Sequence, residues 1–229
     1  MIMTSPMTAM MRSLQVLLTV FCLLFVVMPV QATDQVLAVP VAAGVLDAPV
    51  QGETDKRDYR NLVLANGMKV LLVSDPHTDK SAAALDVATG SGDDPEQRQG
   101  LAHFLEHMLF LGTKKFPEPG EYQAFISDNG GSHNGFTSLE HTNYFFDIDP
   151  QQLKPALDRF SQFFIAPLFN DAYVDREKNA VHSEYQARIR DDSRRLADVY
   201  RELYHSNNPA ATFSVGNLAT LADSPGTAV

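Results

Sequence analysis

His103, Glu106 and His107 stand at i, i+3 and i+4 within His-Phe-Leu-Glu-His. On a helix that spacing puts all three on one face. Two imidazoles a turn apart can hold one Zn2+ while the carboxylate between them holds a water, the arrangement that metal-assisted hydrolysis of a peptide requires. The order reverses the commoner H-E-x-x-H pattern. In a chain with 7 His the pentapeptide arises by chance in roughly one case in a hundred. A pair of satisfied core histidines beside a surface glutamate is the competing reading.

The surroundings favour the metal. Along Gln99 to Gly112, Leu101, Phe104, Leu105, Met108 and Leu109 fall on the face opposite the trio. A tetrahedral site with one open position needs a third protein ligand. Candidates lie in Asp175 to Gln186, where Glu177 and Glu184 are two helical turns apart and share a stripe. One can ligate while the other orients the site. Spacing does not choose between them, and a solvated acidic stripe is the plain alternative.

Four blocks carry a resemblance to a known family. They are Gly100-Leu-Ala-His-Phe-Leu-Glu-His-Met-Leu-Phe-Leu-Gly112, Asn134-Gly-Phe-Thr-Ser-Leu-Glu-His-Thr-Asn-Tyr-Phe-Phe146, Ala156-Leu-Asp-Arg-Phe-Ser-Gln-Phe-Phe164 and Arg176-Glu-Lys-Asn-Ala-Val-His-Ser-Glu184. From about Tyr59 to Leu221 the chain resembles the insulinase/pitrilysin zinc metallopeptidases, in the pitrilysin and insulin-degrading-enzyme branch. The resemblance implies Zn2+ ligands at His103, His107 and Glu184, a catalytic base at Glu106 and a supporting carboxylate at Glu177. It also implies four related domains in two halves around a chamber, so that residues 59–229 are an incomplete first domain and its missing half is the expected partner.

The elements that must position these groups can be read from local signals. Asn61 to Leu64 and Met68 to Val73 flank Ala65-Asn66-Gly67, a strong hairpin signal. Ser81 to Gly90 reads as a strand, and Glu121 to Asp128 as a helix stopped by Asn129-Gly130-Gly131. Ser132 to Asp149 is the longest strand candidate. A helix from near Pro155 puts Leu157, Phe160 and Phe164 on one face. Another, from Asn170-Asp171, carries both glutamates and is expected to run past Tyr200. The mixture predicts an α+β domain with helices on one face of a largely antiparallel sheet.

Ser132 to Thr142 is polar and interrupted by glycine, so it suits a sheet edge where an extended peptide adds by main-chain bonding. The resemblance supports this role for Asn134, Gly135 and neighbouring Phe136; an ordinary exposed strand is the alternative. His133 and His141 lie nearby, and a lone strand histidine is more often structural. His182 points about 200° from Glu184 and is excluded as a ligand.

Residues 1–32 carry no acid and one base, Arg12, before an apolar run from Leu14 to Val30 and small residues at Val30 and Ala32. This predicts a secretory signal peptide cut after Ala32 and export, to a bacterial periplasm; an uncleaved anchor is the alternative. Thr33 to Asp58 reads as an extended tail. Cleavage would remove Cys22, the only cysteine, and leave 17 basic against 28 acidic residues, a net charge of −11. Nucleic acid is excluded as a partner at that charge; peptides are the expected substrates. Two functions compete: a zinc endopeptidase segment, weak without its other half, and a non-catalytic peptide-binding or assembly domain that keeps the fold.

Overall fold

The computed structural model describes residues 44–45, 47 and 49–222, so the leader lies outside the described residues. The chain divides after Asp75 into two compact units. Within the first, β1 (Gly44–Val45), β2 (Asp58–Val63) and β3 (Lys69–Ser74) form an antiparallel sheet in that order. The β2–β3 turn is the expected one. Gly67 takes a φ of 86°, the Asn66 side chain accepts from Met68 N–H, and Leu64 and Met68 close the loop. The extended tail thus contributes β1, which pairs Gly44 with Val63 and Val45 with Leu62.

The second unit holds β4 (Ser81–Val87), α1 (Leu101–Leu109), α2 (Glu121–Asp128), β5 (Ser132–Thr137), β6 (Thr142–Ile148), α3 (Leu153–Ile165), α4 (Asp171–Arg188) and α5 (Asp192–Leu203). Its sheet is antiparallel in the order β4-β6-β5. The expected α+β class holds, with the strands divided between two sheets. β6 alternates strictly: Thr142, Tyr144, Phe146 and Ile148 are buried, while Phe145 faces the other side. Onto the buried face pack Leu109 of α1, Tyr122 and Ile126 of α2, and Ala156, Phe160 and Phe163 of α3. Phe146 meets Phe160 edge-on at 5.3 Å, and burying a side chain of that size contributes about 2–3 kcal/mol.

Three local readings are corrected. Residues 132–148 are a hairpin, not one strand: the chain turns at Ser138, whose hydroxyl donates to the His141 carbonyl and accepts from its N–H. The glutamate helix ends at Arg188, because Asp191 accepts from the N–H of Ser193 and caps a new helix, α5. On α1, Leu105 stays 42 % exposed while Glu106 is buried, since β5 and α4 cover the side expected to be polar.

His133 has the structural role expected of a strand histidine. Its ring packs 5.3 Å from Tyr122 and 5.5 Å from Phe110, with Nδ1 buried and unpaired. Burial holds its imidazole below the ordinary value of 6.5. The unfolded chain therefore takes up this proton first, and His133 contributes stability above about pH 6.5 that is lost as pH falls through its lower folded value. Urea titrations between pH 7 and 5 should show a shallower acid loss in His133→Phe than in the parent; equal slopes would contradict this.

Candidate metal centre

α1 begins where the chain reverses at Gly100, whose φ of 91° is open to glycine without strain. No side chain of Gly100 can cap the helix, and Asp94 does so instead, accepting from the N–H of Gly100 at 2.7 Å and of Ala102 at 2.8 Å. Burial raises the Asp94 carboxyl above its ordinary value even though these donors pull the other way. Gly100 also lies against Gly216: a Cβ on Gly100 would stand 2.1 Å from the Gly216 Cα. That close approach carries the Val215 carbonyl to 2.7 Å from His103 Nδ1.

α4 crosses α1 and brings its glutamates to the histidines. Glu184 Oε2 lies 3.4 Å from His103 Nε2 and 3.8 Å from His107 Nε2. Glu177 Oε2 lies 3.5 Å from His107 Nδ1, and its other oxygen is held by Arg176 at 3.0 Å. Ligand atoms from His103, His107 and Glu184 all fall within 4.8 Å of one another. His182 stands outside this group, as its helical angle required, with its ring near Tyr185.

This donor set fits zinc. Bonds of about 2.0–2.1 Å in a tetrahedron set ligand atoms about 3.3 Å apart, close to the two Nε2–Oε2 separations. Each Nδ1 faces an acceptor, the Val215 carbonyl or the Glu177 carboxylate, so each Nδ1 carries the hydrogen and each Nε2 keeps its lone pair for a metal. The geometry separates the two glutamates that spacing left equivalent. Glu184 reaches both metal-facing nitrogens, and Glu177 reaches the far side of one ring.

Glu106 is not in the ligand group and is 7 % exposed. Its Oε2 accepts from Thr137 Oγ1 at 2.6 Å, and a Cβ on Gly135 would stand 2.8 Å from its Oε1. β5 pairs with β6 alone, so its other side is a sheet edge among the described residues. Along β5, His133, Gly135 and Thr137 alternate with the more exposed Asn134 and Phe136. Of the three suggested substrate contacts, Gly135 is therefore the one packed against Glu106, whereas Asn134 and Phe136 lie on the opposite side of the strand.

The insulinase (peptidase family M16) model matches residues 69–212, a stretch that includes His103, Glu106, His107, Thr137, Glu177 and Glu184. This chain belongs to the insulinase family. It is 54 % identical to human insulin-degrading enzyme over 171 residues, 75 % of this chain and 17 % of that one. It is 46 % identical to the A-factor-processing enzyme of Saccharomyces cerevisiae over 173 residues, 76 % of this chain and 17 % of that one. The crystal structure of pitrilysin superposes with a TM-score of 0.75 at 42 % identity, covering 80 % of this chain and 19 % of pitrilysin. The chain thus spans about a fifth of the length of these insulinase relatives.

Sequence reasoning missed Val215, Thr137 and Asp94, each of which holds a site residue or its helix. It also missed a cavity of about 100 Å3 beside Glu184, between α4, α5 and residues 213–215, whose wall includes Tyr185, Arg188, Arg194 and Phe213. Only Asp94 had a local signal, an acid shortly before an apolar helix.

Proposed function

We propose that this segment carries the zinc site of a peptidase, with Zn2+ held by His103, His107 and Glu184 and with Glu106 as the proton carrier. The observation that carries the reading is the pair of Nε2 atoms facing one Glu184 oxygen while both Nδ1 atoms are turned to acceptors. When bound, zinc supplies a Lewis acid that polarises the scissile carbonyl and lowers the pKa of a water to about 7. Glu106 takes the proton of the attacking water at Oε1, the oxygen that Thr137 leaves unoccupied. It passes that proton to the amide nitrogen as the C–N bond breaks, giving a carboxylate and an amine. Glu177 orients His107 through Nδ1, and the Val215 carbonyl does the same for His103.

An extended peptide would add to the free edge of β5, which runs past Glu106 at Gly135 and Thr137. Main-chain pairing makes recognition tolerant of side chains. The matching family is one of peptidases, and one relative is named for degrading insulin, which supports a peptide substrate here.

The test combines metal analysis with cleavage of an unstructured peptide, using the chain alone and the chain supplied with a downstream half from a relative. Stoichiometric zinc, cleavage with the half present, and loss of cleavage on chelation are expected. Zinc without cleavage under both conditions would replace this reading with the binding or assembly domain.

A further inference from the structure

The geometry points to Thr137 as the positioning residue of the proton carrier: its hydroxyl fixes the Glu106 carboxylate from the same strand edge that receives the peptide. This rests on the peptidase reading above and adds a residue to it.

Glu106 is almost fully buried, and its carboxylate has two oxygens to place. Oε2 accepts from Thr137 Oγ1 at 2.6 Å, a short bond of the charge-assisted kind. Oε1 lies over Gly135, where the absent Cβ leaves the space it fills. The carboxylate is thus bound at one oxygen and backed by bare main chain at the other. A Glu side chain has three torsions, and its terminal one turns broadly, so a fixed donor on one oxygen is what selects the orientation of the second. Thr137 is suited to supply that donor. It is β-branched and stiff about χ1, and it ends β5 paired with Thr142, whose own hydroxyl is tied to the Thr89 carbonyl.

The placement has a functional consequence. Asn134 and Phe136 lie on the other side of β5, and the strand meets the carrier at Gly135 and Thr137. A peptide paired to the free edge of β5 and a carboxylate held by the same strand share one frame. The distance from carrier to scissile bond is then set within a single element. Catalysis falls steeply with small misplacement of such a group.

Three proteins separate positioning from folding: the parent, Thr137→Ser and Thr137→Val, each supplied with a downstream half from a relative. Thr137→Val keeps shape and β-branching and removes the donor; Thr137→Ser keeps the donor. Zinc content and affinity should be equal in all three. Peptide cleavage by Thr137→Val should lose kcat by about 30-fold with KM within twofold. Thr137→Ser should recover kcat to within about threefold. Crystal structures of the zinc-loaded chains supply a readout that needs no turnover: in Thr137→Val the Glu106 carboxylate should rotate or split, and in Thr137→Ser it should not. If the parent itself fails to cleave, the peptidase reading falls while this crystallographic comparison still decides the role of Thr137. An unchanged Glu106 rotamer in a folded Thr137→Val, or an unchanged kcat, overturns the proposal.

Discussion

Glu106→Gln should bind zinc as tightly as the parent chain and cleave peptides about 10^3-fold more slowly. The two expectations separate because Glu106 is outside the ligand group formed by His103, His107 and Glu184. Glutamine matches glutamate in shape, so it can still fill the space over Gly135 and accept from Thr137 through its carbonyl. What it lacks is an oxygen that takes a proton and returns it. The loss should lie in kcat, with KM little changed, because in the proposed function the peptide would pair with β5 and not with this side chain. Metal analysis beside steady-state kinetics checks both halves. A Glu106→Gln protein that loses its zinc would make Glu106 a ligand, and one that keeps full turnover would remove it from the chemistry.

What was legible in the sequence depended on how far apart the interacting residues are. The β2–β3 turn is written in Ala65-Asn66-Gly67, and the face shared by His103, Glu106 and His107 follows from helical periodicity alone. The turn between β5 and β6 has no such mark. Ser138-Leu-Glu-His141 contains no Gly, Pro or Asn, and Thr137 and Thr142 on either side favour strand, so the run read as continuous. The break after Arg188 did have a signal in Asp191, which its charged neighbours Arg190, Asp192 and Arg194 disguised as ordinary surface. Long-range partners were beyond reach. The Val215 carbonyl is 112 residues from His103, and it meets the ring only because Gly100 and Gly216 let two backbones touch. A backbone acceptor has no side chain to announce it.

Glu184→Ala should abolish stoichiometric zinc binding and cleavage together, whereas Glu177→Gln should keep zinc at an affinity 10- to 100-fold lower. The two positions are equivalent on a helical wheel, seven residues apart on one stripe of α4. They differ in where α1 crosses that stripe. Glu184 Oε2 lies 3.4 and 3.8 Å from the two Nε2 atoms, while Glu177 lies 3.5 Å from the Nδ1 of His107 alone. Removing Glu184 leaves two imidazoles, too few to hold Zn2+ in a site that must keep one position open. Replacing Glu177 leaves all three ligands in place and takes only the anionic acceptor from behind one of them. Its other oxygen is held by Arg176, and the amide has a single acceptor oxygen to serve both that guanidinium and His107 Nδ1. Chelator competition with an indicator dye, run on both variants and the parent, separates total loss from weakening. The reverse order of effects would exchange the two glutamates and place the metal on the Nδ1 side of His107, a position that the Val215 contact at His103 Nδ1 cannot share.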